Sequence, residues 1–262
     1  MAGAGDRRGR GGDCRTMATI AAMDEPSTPA ITAPAPAPAS AAAAIQGLDA
    51  AIVDLDGTMV DTVGDFEIAL ARSLAEIGLP PVGRDFIRRT VGRGSEHLLA
   101  SVLAQLGADA ALHAALWPRY QAHYLAINGE HAPLFPGVVE GLARLRAAGL
   151  RLACLTNKPR AFARPLLQRK GLARFFDAVF GGDDFARKKP DPLPLRATCE
   201  ALGSAPARTL MIGDSRNDAE AARAAGCPVA LATYGYNHGE PVQAAGADLL
   251  FDRLDAIVWP PR

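Results

Sequence analysis

No excess charge of either sign marks this chain: 28 basic residues balance 28 acidic ones. Without a net field there is no long-range pull toward nucleic acid or an anionic membrane surface, and neither is expected as a partner. Cysteine is scarce, with four residues at 14, 154, 199 and 227. No two of them sit at the close spacing that a zinc site or a redox pair uses, which leaves both unsupported. The pattern suits a reducing compartment, and the cytoplasm is the expected location. Cys154 lies inside an apolar run and reads as a small core residue. No apolar stretch approaches the ~20 residues of a membrane-spanning helix. His97, His113, His123, His131 and His238 show no metal-ligand spacing, so each is expected at the surface or in a structural role. At 262 residues the chain can bury a sizeable core in one or two domains.

Residues 1–46 stand apart. They hold Arg7, Arg8, Arg10 and Arg15, followed by an Ala/Pro tract from Pro26 to Ala44. There is no apolar segment of the kind a secretory signal needs. An Arg-rich start can mimic an organellar transit peptide. The tract itself favours extended polyproline conformations and cannot build a core, so a disordered tail is expected, or a start codon at Met17 or Met23.

The folded part is expected to begin near Gly47. A strand at 50–55 leads to Asp61-Thr62, a helix start, and to the helical spacing Phe66, Leu70, Leu74, Ile77, which Gly78 and Pro80-Pro81 end. Further helices fill 84–127, with Leu98, Leu99, Val102, Leu103 and then Leu112, Leu116, Tyr120, Tyr124 in register; Trp117 and Tyr120 read as packing within this block. From Pro136 the pattern alternates. Helices are expected at 136–148, within 160–171, at 192–202, at 215–225 and near 239–245. Strands are expected at 150–156, 177–181, 208–213, 228–233 and 248–251. Strand–helix alternation implies a parallel sheet covered on both faces. The fold class is therefore α/β: a Rossmann-like parallel-sheet core (47–63 and 133–262) with an inserted all-helical cap domain (64–132).

Four polar segments follow the apolar runs. Asp54-Leu55-Asp56-Gly57-Thr58 closes the first. Its carboxylates, two residues apart, project to the same side and repel one another unless a cation neutralises them, for which oxygen-liganded Mg2+ is suited. An acidic turn or helix cap is the alternative reading of this segment by itself. Thr156-Asn157-Lys158 ends the second run, Lys188-Lys189-Pro190-Asp191-Pro192 follows Val179-Phe180, and Gly213-Asp214-Ser215-Arg216-Asn217-Asp218 ends another. Ligands of open α/β sheets bind outside the carboxyl ends of the strands, so the four segments can meet in one crevice. Thr156 can equally cap a following helix, and Lys188 with Arg187 can form a solvated basic loop.

In this order the segments resemble the four motifs of the haloacid dehalogenase-like phosphohydrolases, over roughly residues 48–255, and within them most of all the bacterial phosphoglycolate phosphatases with a C1 cap. The resemblance implies a Mg2+-dependent phosphatase that hydrolyses a small-molecule phosphate ester, 2-phosphoglycolate first, as a monomer or homodimer. It makes Asp54 the nucleophile and Asp56 the acid and base. Lys189 and Thr156 with Asn157 would hold the phosphate. Mg2+ would bind Asp54, the Asp56 carbonyl and Asp214, with Thr58 and Asp218 behind them. Arg93, in the turn Val91-Gly92-Arg93-Gly94-Ser95, is the candidate for the substrate carboxylate, or else a surface arginine. The turn 234–239 either borders the site or is simply well packed. A phosphomutase of the same fold and a non-catalytic binding member are the competing functions.

Overall fold

The computed structural model describes residues 47–257; the expectations for the Arg-rich and Ala/Pro-rich segment 1–46 lie outside them. Six strands form one sheet: β1 (Ala50–Val53), β2 (Arg151–Leu155), β3 (Ala178–Phe180), β4 (Thr209–Gly213), β5 (Val229–Ala232) and β6 (Leu249–Phe251). Every pairing is parallel, in the order β3-β2-β1-β4-β5-β6. Both faces are covered, so the strands are apolar apart from Arg151 and Thr209 at the starts of β2 and β4. Ala51 and Val53 face one buried cluster with Leu152, Cys154, Leu210 and Ile212. Ala50 and Ile52 face a second with Ala153, Leu155 and Met211.

The first cluster is covered by α5 (Val138–Ala147) and α6 (Arg160–Arg169), the second by α7 (Leu193–Ala201) and α8 (Arg216–Ala225). Between β1 and α5 come only helices among the labelled elements: α1 (Val63–Ala75), α2 (Arg84–Thr90), α3 (Ser95–Gln105) and α4 (His113–Ile127). They share a third apolar cluster centred on Phe66, Leu99, Tyr120 and Tyr124, which Phe162 of α6 enters from the sheet side. The chain leaves for this block and returns from it along two segments that pair with each other. Asp61 N–H donates to the Pro133 carbonyl at 2.9 Å and Phe135 N–H to the Met59 carbonyl at 3.1 Å. Asp65, fully buried, ties the same crossing by accepting from the Gly129 and His131 N–H groups at 2.6 and 2.8 Å.

Two local readings shift. The first strand stops at Val53: Asp54 N–H still donates to the Ile212 carbonyl at 2.9 Å, and the chain turns away after it. The last short helix is a single 3-10 turn, Val242–Ala245.

Candidate active site

Register builds the crevice. β1 lies between β2 and β4, with Val53 opposite both Cys154 and Ile212. The residues that follow each strand therefore arrive side by side: Asp54 from β1, Thr156 from β2 and Asp214 from β4. Chain order reverses across β1 and β4, which is where an open parallel sheet forms its binding crevice.

Asp54, Asp214 and Asp218 are all buried, and one carboxylate oxygen from each lies within 4.8 Å of the others. One ammonium faces them. Lys189 Nζ is 3.1 Å from Asp54 Oδ1 and 2.6 Å from Asp218 Oδ1, and it also donates to the Leu155 carbonyl at 3.0 Å. Burial disfavours that ammonium, yet Asp218 and Asp54 hold its pKa above the ordinary lysine value. The carboxylates respond oppositely. Burial lifts the Asp54 carboxyl to about 7, partly offset by Lys189 and reinforced by Asp218 and Asp56. Burial, then Asp218 and Asp54, raise the Asp214 carboxyl well above its usual range. Three carboxylates against one cation leave an excess of negative charge in a dry site, a donor set of hard oxygens that fits a small divalent cation.

The three are not equivalent as ligands. Asp218 is spent: beyond Lys189, its Oδ2 accepts from the Ser215 hydroxyl at 2.9 Å and from the Ser215 and Asp214 N–H groups at 3.2 and 3.3 Å. Ser215 is the N-cap of α8 and Asp218 its third residue, so the pair forms a capping box that also fixes Asp214 just outside the helix. Asp214 is oriented by the Thr58 hydroxyl at 2.9 Å and by the Tyr236 N–H at 2.6 Å. The 234–239 turn thus borders the site. Close approach needs Gly57, at φ +83°, where a Cβ would lie 2.3 Å from Asp214 Oδ2.

Asp56 lines the same cavity but turns its carboxylate to other partners. Its Oδ1 accepts from the Thr62 hydroxyl at 2.8 Å and from Lys158 Nζ at 2.9 Å, while Oδ2 accepts no hydrogen bond from the described residues. Thr156 is buried, and its hydroxyl oxygen accepts from the Lys158 N–H at 3.2 Å. It does not cap α6, whose N-cap is Pro159. Asn157 has a different part from the expected side-chain donor. Its amide bridges loops, giving hydrogen bonds to the Gly92 and Lys189 carbonyls at 2.9 and 2.8 Å and taking one from the Lys189 N–H at 2.9 Å. Its backbone N–H has no acceptor among the described residues. Lys188, by contrast with Lys189, is partly exposed and pairs with Glu96 of α3.

Of the two readings of Arg93, the structure agrees with the surface arginine. Its side chain is exposed and does not line the cavity. The glycines on either side, both at positive φ, place backbone against the cavity instead, and the wall there is Val91, Gly92, Gly94 and Ser95. Two residues that the sequence reading passed over do reach the centre. Lys158 is buried beside Asp56, and Thr62, read only as a helix start, holds the same carboxylate oxygen. Lys158 stands in the segment Thr156-Asn157-Lys158, but nothing in the sequence says that the helical block closes over it.

A family model described as haloacid dehalogenase-like hydrolase matches residues 48–226. The chain belongs to that family. A protein from Thiobacillus denitrificans named phosphoglycolate phosphatase is 44% identical over 214 residues, 79% of this chain and 92% of its own length. A plasmid-borne protein of the same name from Cupriavidus necator is 45% identical over 212 residues, 79% of this chain and 90% of its own. Among solved structures, a predicted phosphoglycolate phosphatase from Haemophilus somnus superposes with a TM-score of 0.76 at 29% identity, covering 79% of this chain and 95% of that one. CbbY from Rhodobacter sphaeroides, solved in complex with phosphate, gives 0.70 at 26% identity over 80% and 96%. This member of the haloacid dehalogenase-like family is an enzyme, a phosphoric monoester hydrolase. No helix among the described residues is long and apolar enough to cross a membrane.

Proposed function

We propose that this hydrolase is a Mg2+-dependent phosphatase that converts 2-phosphoglycolate to glycolate and phosphate through an aspartyl-phosphate on Asp54. The observation that carries the chemistry is the division of labour between two buried carboxylates. Asp54 faces Lys189 and the other acids, whereas Asp56 is held through one oxygen by Thr62 and Lys158 with the second oxygen unbonded. Asp54 is the nucleophile, and its bond to phosphorus forms as the P–O bond to the leaving group breaks. Asp56 gives its proton to the departing alkoxide, then takes one from the water that hydrolyses the acyl phosphate. Lys189, the Thr156 hydroxyl and the Asn157 backbone N–H draw the phosphoryl oxygens into line. Mg2+, held by Asp54, Asp214 and the Asp56 carbonyl, would neutralise charge on the transferring group. Thr58 and Asp218 orient these ligands and the lysine.

The cavity between Asp54, Asp56, Phe66, Leu98 and Lys158 is about 20 Å³, which holds a water but no ester. The helical block 64–132 acts as a cap that opens to admit substrate and closes to exclude water. What supports 2-phosphoglycolate is the name of the two relatives at 44% and 45% identity. The test is phosphate release at neutral pH from 2-phosphoglycolate, glucose 1-phosphate, glucose 6-phosphate, AMP and pyrophosphate, with Mg2+ and with EDTA. Release that needs Mg2+ and is fastest on 2-phosphoglycolate is expected. Release fastest on another ester would overturn the substrate. No steady release from any would overturn the phosphatase and favour a phosphomutase or a binding role.

A further inference from the structure

Lys158 is a buried cation with donors to spare. Its side chain is 1% exposed and its ammonium meets one oxygen, Asp56 Oδ1 at 2.9 Å. The rings of Phe66 and Tyr124, from α1 and α4, flank it at 4.5 and 4.6 Å. Aromatic faces stabilise a cation but take no directed hydrogen bond of normal strength. An ammonium has three N–H donors, and a single hydrogen bond from this one is found among the described residues. Such a group, closed in by the helical block, calls for a further anionic acceptor.

The acceptor has a place. Lys158 is the only cation among the residues lining the 20 Å³ cavity. The same cavity is lined by Gly94 and Ser95, the N-cap and first residue of α3, an 11-residue helix whose start is capped by no side chain. The first N–H groups of a helix favour an anion, and here they share one small cavity with the ammonium. Lys189 faces the nucleophile Asp54, whereas Lys158 reaches Asp56, the acid for the leaving oxygen, so whatever lies beside Lys158 is the portion of the substrate that leaves, not the phosphoryl group.

We propose that Lys158, together with the N-terminus of α3, binds a carboxylate on the leaving group and thereby selects phosphate esters of small hydroxy acids over uncharged alcohols. This inference rests on the phosphatase reading of the site. It moves carboxylate recognition from the exposed Arg93 to a residue that is sealed from water, where a charge pair is worth most. Asp56 and the substrate carboxylate then lie on either side of one ammonium, which draws the leaving oxygen toward the acid that protonates it.

The test compares 2-phosphoglycolate with 2-hydroxyethyl phosphate, an ester of similar length without the carboxylate, on the full chain in Mg2+. Wild type should prefer 2-phosphoglycolate. Lys158→Met should lose about 100-fold in kcat/KM on 2-phosphoglycolate, the scale of truncating one partner of a buried charge pair. Its loss on 2-hydroxyethyl phosphate should be under about 10-fold, so the preference collapses. Lys158→Arg, which keeps the charge, should retain a preference for the carboxylate. Thr62→Val, which loosens Asp56 alone, should lower both substrates in proportion. Equal losses on both substrates in Lys158→Met would overturn the proposal, leaving Lys158 as a positioning residue for Asp56. Release from both esters by a wild type that shows no preference would instead overturn 2-phosphoglycolate as the substrate.

Discussion

Replacing Asp54 by asparagine should remove activity and at the same time stabilise the metal-free fold. Burial, tempered by Lys189 and reinforced by Asp218 and Asp56, lifts this carboxyl from 3.8 to about 7. A carboxyl whose pKa is higher in the folded than in the unfolded chain binds more protons when folded between those two values. Stability then falls as pH rises from about 4 to 7, and the whole penalty is present above 7. At about 1.4 kcal/mol per pKa unit it amounts to about 4 kcal/mol at pH 8. Asparagine escapes it, but Lys189 then keeps only Asp218, at 2.6 Å, as a carboxylate partner. Allowing for that loss, the expected net gain is about 2 kcal/mol, or roughly 4–8 °C in Tm for a domain of this size. The assay is thermal unfolding in EDTA, for wild type and Asp54→Asn, at pH 8 and pH 5.5. The gain should all but vanish at pH 5.5, where wild-type Asp54 is already almost fully protonated when folded. Adding Mg2+ at pH 8 should narrow the gap by stabilising wild type. A variant no more stable than wild type at pH 8, or a gain independent of pH, would refute the claim that Asp54 is a destabilised anion.

Further outcomes follow from the same geometry. Because protons compete for the raised Asp54 and Asp214 carboxyls, the Mg2+ concentration for half-maximal activity should rise as pH falls below about 7 and level off above it, as a titration of initial rates would show. Gly57→Ala puts a Cβ 2.3 Å from Asp214 Oδ2 at a backbone φ of +83°; it should cost over about 2 kcal/mol in urea unfolding and abolish turnover. Asn157→Ala severs the bridge to Gly92 and Lys189, leaving the buried Lys189 carbonyl and N–H without that partner while Gly92 keeps Asn217; a loss of about 2 kcal/mol with at least about a 10-fold fall in kcat/KM is expected. Asp65→Ala frees the Gly129 and His131 N–H groups at the crossing into the helical block and should lower Tm by several degrees.

The strand-end residues of the site were legible because a parallel sheet delivers whatever follows each central strand to one edge. Asp54, Thr156 and Asp214 needed only the apolar runs before them. Lys189 is separated from Lys188 only by the resemblance, whose pattern puts the lysine directly before the proline, and burial agrees. What stayed hidden depends on contacts between elements remote in sequence. Lys158 meets Phe66 and Tyr124 only because α1 and α4 fold over the crevice. Asn157 reads as a phosphate donor until the Gly92 and Lys189 carbonyls are seen to claim its amide. Arg93 looks poised in its glycine turn, yet the flanking backbone occupies the wall. Cys199 and Cys227, without informative spacing, lie 3.9 Å apart because α7 and the approach to β5 pack side by side.

The central claim is that Asp54 attacks the phosphoryl group of 2-phosphoglycolate in a Mg2+-bound crevice. It is tested most directly by phosphate release from 2-phosphoglycolate by wild type and by the folded Asp54→Asn variant, each with Mg2+ and with EDTA. Release is expected from wild type with Mg2+ alone and none above background from the variant. Comparable release from Asp54→Asn, or release from wild type undiminished by EDTA, would contradict it.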